Sequence, residues 1–357
     1  MSKVTNRFQN KDLFSTMNHA GRFAEILSHF SNVKVLVIGD FILDEFVWGS
    51  VERISPEAPV PVVNVERESF VPGGALNVAN NIRMLGGTVF PCGIIGRDLH
   101  GRMLVKLMRA EGIDTEGVIY DSKRPTTLKT RIIAHSQQMV RFDREVAREL
   151  NNDQRNEVFR YIQKVMPQCD IVALEDYGKG VIEPWLLTRI LKLAKSEGKP
   201  VIVDPKEKHF AYYRGVTAVT PNRKEAIGGL SREKNRDTLS IEQVGKKLLN
   251  RLGVEAVLIT LGEEGMLLVE KSGEVTRIPT AARQVYDVSG AGDTVIAVFS
   301  MAIASGANKR EAAYVANAAA GVVVGKLGTA TLTMEELKST LSLEKMSGNK
   351  KKELLNV

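Results

Sequence analysis

Cysteine is scarce: Cys92 and Cys169 are the only two in 357 residues. They are too far apart in sequence to form a metal-binding or redox pair, so the plain reading is two buried small residues in a reducing, cytoplasmic setting. No apolar run is long enough to span a membrane. Met1 to about Asn18 is polar and mixed in charge, so no secretory leader is expected. Two common nucleotide loops are missing as well. After the first predicted strand, Gly39-Asp40-Phe41-Ile42-Leu43-Asp44 lacks the glycine spacing of a dinucleotide turn, and no G-x-x-x-x-G-K-[ST] loop occurs. The net charge of +7 is scattered and partly terminal, in Lys350, Lys351 and Lys352. Without the basic-aromatic alternation of single-strand binders, no nucleic-acid partner is expected. The basic balance suits anionic small substrates, and a solvated surface would account for it nearly as well.

What is present suits a globular enzyme. With 43% hydrophobic and 25% charged residues, the chain can build one large α/β domain with an appendage, or two domains. Phe23, Ile26, Leu27 and Phe30 recur at helical spacing, predicting an amphipathic helix over about 20–30. The run from Val33 to Ile38 reads as a buried strand ending in Gly39-Asp40. Ligands of open α/β sheets lie at such strand ends, which makes Asp40 a substrate candidate or else a strand-end cap.

From Phe46 to Val71 the pattern changes. Val60 to Val65 alternates as a strand does, while Pro56, Pro59 and Pro61 exclude a helix, so a small separate sheet is predicted. Thr126–Ala134 followed by Gln138–Phe142 reads as a hairpin returning to it, the two patches together making a lid. Between them, Gly73-Gly74 reads as a loop entering a helix that stops at Gly86, with Asn77 offering donor and acceptor to hydroxyl groups. After residue 150, helices at about 153–165, 184–196 and 241–252 alternate with strands at about 170–174, 200–204, 216–219 and 256–260. That alternation predicts a largely parallel sheet covered on both faces. A helical hairpin over 292–305 and 310–325 closes the pattern.

One stretch organises the chemistry: Asp287-Val288-Ser289-Gly290-Ala291-Gly292-Asp293-Thr294. Its glycines let backbone N–H groups approach an anion, and the breaker-free apolar run after it predicts a buried helix stopping at Gly306. Unpaired N–H groups and the positive end of the helix dipole then point the same way. A carboxylate at Asp293 would oppose a phosphate if anion binding were its only task, so it is a candidate base for an alcohol attacking phosphorus. Taken alone, G-A-G-D also fits an ordinary helix start. Asn222 and Glu225, three apart, would share a helix face and could hold water around Mg²⁺, or simply cap that helix. Gly262-Glu263-Glu264-Gly265 reads as a tight turn after a strand ending at Thr260, able to cover a ribose or merely to close a hairpin.

Gly73-Gly74-Ala75-Leu76-Asn77-Val78-Ala79, Asn222-Arg223-Lys224-Glu225 and Asp287 to Asp293, in this order, resemble the two fingerprints and the N-x-x-E motif of the ribokinase (PfkB) family of carbohydrate kinases. The resemblance covers about 33–335. Gly49 to Val62, with Gly39 to Asp44 and Asp176-Tyr177-Gly178-Lys179-Gly180, is similar to the heptose 7-phosphate kinases of lipopolysaccharide core synthesis. Leu76 stands where a small residue is usual in the family, which should change packing only.

The resemblance implies a ribokinase-like α/β kinase domain over 33–345, with a β lid from about 45–72 and 120–145. An N-terminal extension and helix would occupy 1–32, and a basic tail 346–357. Asp293 would be the base, and the amides of Gly290, Ala291 and Gly292 the anion hole. Asn222 and Glu225 would organise Mg²⁺, through water, and the ATP phosphates, while Thr260, Gly262, Gly265 and Asn317 border the nucleotide. Asp40, Gly73, Gly74 and Asn77 would meet the sugar, and a homodimer would form through the lid. The family motif names no partner for the substrate phosphate. Lys129 and Arg131 share a strand face and Arg141 lies on the returning strand, so these three are the candidates, or else a solvated face.

The implied reaction is ATP-dependent phosphorylation of the anomeric hydroxyl of D-glycero-D-manno-heptose 7-phosphate. Another sugar kinase of the family, or a regulator that binds nucleotide and sugar phosphate without catalysis, are the alternatives; the retained Asp293 argues against the regulator. None of the five histidines makes the H-x-G-H of the adenylyltransferase often fused to heptose kinases, so only the kinase step is expected.

Overall fold

The computed structural model describes residues 16–341 except 136, 232, 234, 283, 327 and 329. The expected tail over 346–357 and the extension before residue 16 lie outside the described residues. Helix α1 (Thr16–Ser28) leads to strand β1 (Lys34–Gly39). After Asp40 alone, the chain departs on β2 (Phe41–Ile54) and returns on β3 (Pro61–Gly74), which runs directly into α2 (Ala75–Met84). Then come β4 (Thr88–Gly96), α3 (Leu99–Ala110), β5 (Val118–Asp121), β6 (Thr127–Ala134) and β7 (Gln137–Arg144). The second half alternates: α4 (Asn152–Val165), β8 (Ile171–Glu175), α5 (Pro184–Ser196), β9 (Val201–Asp204), β10 (Ala218–Val219), α6 (Arg223–Gly228), α7 (Ile241–Leu252) and β11 (Ala256–Thr260). Strands β12 (Met266–Glu270) and β13 (Val275–Ile278) precede the hairpin of α8 (Ala291–Ala304) and α9 (Lys309–Val323).

The main sheet has the order β13-β12-β11-β10-β9-β8-β1-β4-β5. It is parallel from β11 to β5, with β12 and β13 antiparallel at one edge. Alternate residues of a strand face opposite sides. Accordingly Val35 and Val37 join one apolar core with α2, α8 and α9, while Leu36 and Ile38 join the other with α4, α5 and α7. The α/β fold with helices on both faces is thus the one its alternation predicted. No helix among the described residues is long and apolar enough to cross a membrane.

A second sheet, ordered β3-β2-β6-β7, stands apart from the first. Pro61 opens β3, and β3 is an edge strand, as proline's missing N–H requires. Two expectations need correction. Gly73-Gly74 is the end of β3 rather than a loop, paired to Ile42 and Phe41. The second patch of the small sheet, expected from about 120, starts at Thr127, because Val118–Asp121 pairs with Gly93–Gly96 in the main sheet.

Candidate active site

A cavity of about 240 Å³ opens at the carboxyl ends of β8, β9 and β11, facing the first turn of α8. Parallel strands converge there and their connections diverge, which leaves a crevice. Glu175, Asp204 and Thr260 end three of the strands, Asn222 and Glu225 open α6, and Gly290, Gly292 and Asp293 close the far wall.

Gly290 caps α8 in a left-handed conformation, φ 78°, and no side chain caps the helix. The amides of this first turn have no acceptor earlier in the helix; Gly290 and Gly292 line the cavity, while the Ala291 N–H donates to the Val288 carbonyl at 3.3 Å. Helix α8 is apolar almost throughout and buried, so its start is held rigidly. Asp293, 3% exposed, accepts hydrogen bonds from Asn77 Nδ2 at 2.6 Å and from the Tyr177 hydroxyl at 2.9 Å. Burial raises its carboxyl to about 7, against the pull of these two donors toward the ionised form. Tyr177 keeps its proton, since burial and the Asp293 charge push its phenol well up. Asn77 is itself held from α2, where Asn81 Nδ2 donates to its backbone carbonyl at 2.9 Å.

The opposite wall is acidic. Burial, with the charge of Asp204, holds the Glu175 carboxyl well above the usual range; burial and Glu225 do the same for Asp204. Thr220 Oγ1 donates to Asp204 at 2.8 Å, yet Glu175 Oε2 is buried with no hydrogen-bond partner among the described residues. An unpartnered buried carboxyl oxygen is costly, and crowding of the acids favours their neutral forms; no three of them among the described residues are placed to hold a metal ion directly. Asn222 and Glu225 form a reciprocal capping box on α6, each side chain bonded to the other's backbone N–H at 3.0 Å. The capping reading therefore holds in the structure, with Glu225 Oε2 as the accepting oxygen.

A family model described as pfkB family carbohydrate kinase matches residues 32–337. The chain belongs to that family. Among curated relatives, the bifunctional protein HldE of Desulfatibacillum aliphaticivorans is 47% identical over 315 residues, 88% of this chain and 64% of the relative. The HldE of Geobacter sulfurreducens is 43% identical over 334 residues, 93% and 68%. The chain thus spans about two thirds of the length of these relatives. Of solved structures, a ribokinase from Thermotoga maritima superposes with TM-score 0.66 at 25% identity, over 87% of this chain and 99% of that one. Phosphofructokinase-2 from Escherichia coli gives TM-score 0.70 at 20% identity, over 87% and 98%, a likeness of fold.

Within this pfkB fold the expected site residues separate into two groups. Asp293, Gly290, Gly292, Asn222, Glu225 and Thr260 line the cavity together, Ala291 lies between two of them, and Asn77 reaches it through Asp293. Gly262, Gly265 and Asn317 do not line it. Gly265 packs where a Cβ would meet the Ile278 carbonyl at 2.1 Å, and Asn317 Nδ2 donates to the Pro279 carbonyl at 2.8 Å. Asp40 does not line this cavity either. Its carboxylate is 1% exposed and accepts the backbone N–H of Tyr177 (3.0 Å), Lys179 (2.9 Å) and Val181 (3.2 Å). It anchors the 177–181 segment, and burial lifts it to about 6. The glycines also serve the protein itself: a Cβ on Gly73 would collide with Asp44 Oδ2, and one on Gly74 with the Asp40 carbonyl.

Lys129, Arg131 and Arg141 do lie on one face of the second sheet, and it is the face whose charges act on Asp293. Each already has an acidic partner. Arg131 pairs with Asp44, Lys129 with Asp143 at 2.8 Å, and Arg141 with Asp143 at 3.1 Å. Sequence reasoning gave no site role to Asp44, Tyr177, Glu175 or Asp204, although Asp204-Pro205-Lys206 stood out at a predicted strand end. The rule that singled out Asp40, a polar residue at the end of a parallel strand, would have found Glu175 and Asp204. The other two depend on β2 and the 177–181 segment folding back, which no local pattern records.

Proposed function

We propose that this chain transfers the γ-phosphoryl group of ATP to the anomeric hydroxyl of D-glycero-D-manno-heptose 7-phosphate, giving the 1,7-bisphosphate. The observation that carries the reaction type is the placement of Asp293: a buried carboxylate in the first turn of an uncapped helix, across a small cavity from an acidic wall. The Gly49–Val62 stretch and the identity to HldE proteins support the heptose substrate.

In this reading Asp293 takes the hydroxyl proton as that oxygen bonds to phosphorus and the bond to the ADP oxygen breaks. Asn77 and Tyr177 hold the carboxylate toward the sugar, and the amides of Gly290, Ala291 and Gly292 receive the charge of the travelling phosphoryl group. Thr260 borders the nucleotide on the cavity side; Gly262, Gly265 and Asn317 shape its more distant boundary. Glu225, Glu175 and Asp204 would hold Mg²⁺ through water, and the ion would neutralise phosphate charge. Gly73 and Gly74 bring Asp44 up to the sugar side, where Lys129, Arg131 and Arg141 supply positive charge for the 7-phosphate. The kinase unit is assigned to 33–345 with the second sheet as lid, working in the cytoplasm as a homodimer joined through that lid.

The test is an assay of purified protein with ATP, Mg²⁺ and a panel of heptose 7-phosphate, ribose, fructose and fructose phosphates. Turnover of the heptose phosphate is expected. Turnover of ribose, with none of the heptose phosphate, would sink the substrate assignment.

A further inference from the structure

The cavity wall carries five carboxylates, Glu175, Asp176, Asp204, Glu225 and Asp293, and one basic side chain among the described residues, Lys206. A lysine serving as counter-ion to that wall would close on one of the acids. Lys206 makes no salt bridge with any carboxylate of the described residues; its charge acts on Glu225 only at longer range.

Its position is nevertheless built. Pro205 precedes it, restricting the backbone at the end of β9. Its N–H donates to the Tyr213 hydroxyl at 2.9 Å, and that hydroxyl donates to Asp176 Oδ2 at 2.6 Å. His209 Nδ1 meets the same Asp176 oxygen at 2.8 Å, and Gly178 N–H donates to Oδ1 at 2.7 Å. The side-chain stem lies over Gly178, where a Cβ would come 3.4 Å from Lys206 Cγ. Five residues thus fix the root of a half-buried lysine that lines an acidic cavity and makes no salt bridge among the described residues.

We propose that Lys206 is the cationic clamp on the terminal phosphates of the nucleotide, bonding γ-phosphoryl oxygens opposite the amides of Gly290 to Gly292. This rests on the kinase reading above. An ammonium is a compact donor that follows a moving phosphoryl group, and pre-placed positive charge in a water-poor site stabilises the charge that spreads over its oxygens. Tyr213 is then a positioning residue, acting on phosphate through Lys206.

The experiment measures binding of ADP and of a non-hydrolysable ATP analogue, both with Mg²⁺, to wild type, Lys206→Met and Lys206→Arg, alongside thermal melts. A charge-assisted contact to the γ-phosphate predicts that Lys206→Met loses about 10- to 100-fold in affinity for the analogue and changes little toward ADP. Lys206→Arg should recover most of the loss, and kcat should fall in Lys206→Met while the sugar KM holds. Equal losses for both nucleotides, or a lowered melting temperature with the analogue-to-ADP ratio unchanged, overturn the proposal. A wild type that binds neither nucleotide overturns the kinase reading and this one together; a wild type that binds both, with Lys206→Met indistinguishable from it, overturns this one alone.

Discussion

Asp293 sits between two protonation states. Burial lifts its carboxyl to about 7 while Asn77 and Tyr177 donate to its ionised form. As a base it works ionised, so kcat/KM for the sugar should climb with pH through about 7 and level off above it. Tyr177→Phe removes a donor that favours the charged state. The acid limb should then move up by roughly one pH unit, which a pH–rate profile of the two proteins will show. Asp293→Asn keeps the shape and loses the base: turnover should fall by ~10²–10⁴-fold with ATP binding retained, and an unchanged rate would remove Asp293 from the mechanism.

At the scale of elements, the site depends on two junctions that admit almost no slack. Between β1 and β2 only Asp40 intervenes, and its carboxylate ties down the 177–181 segment that carries Tyr177. In Asp40→Asn the amide would set N–H against N–H. Urea denaturation should show a loss of about 1–3 kcal/mol, with turnover lowered through the displaced Tyr177. Between β3 and α2 there is no loop, and Gly74 turns the corner at φ +58° with its Cα face 2.5 Å, at an added Cβ, from the Asp40 carbonyl. Gly74→Ala should therefore cost more than about 1–2 kcal/mol in the same measurement. Wild-type stability would mean that the corner relaxes without penalty.

For the whole molecule, the second sheet presents β7 as an open edge. Every residue of β7 is exposed, and Val140 is 49% and Phe142 41% exposed. An edge strand with apolar side chains in water invites pairing. The proposed homodimer would cover it. Val140→Lys with Phe142→Lys should halve the sedimenting mass while leaving the fold, seen by circular dichroism, unchanged; a mass unaffected by the pair would place any interface elsewhere.

Periodicity alone determined many of the elements of this protein, though not β2, β4, α3 or β5. The 3.6-residue and two-residue repeats placed α4, α5, α7, β8, β9 and β11 within a residue or two, because each buries one face or lies in the sheet core. Spacing within short motifs marked Asp293, its glycines and Asn222–Glu225, since local backbone geometry makes those contacts. Tertiary structure decided everything that depends on chain segments meeting from afar. It turned Asp40 inward as an anchor, set Tyr177 on Asp293 across 116 positions, and gave Arg131 to Asp44 across 87. It also put in one cavity an oxygen of Glu175 without a hydrogen-bond partner and a Lys206 without a salt bridge among the described residues. Which charges remain unsatisfied depends on three-dimensional proximity and burial, and neither is written in the order of residues.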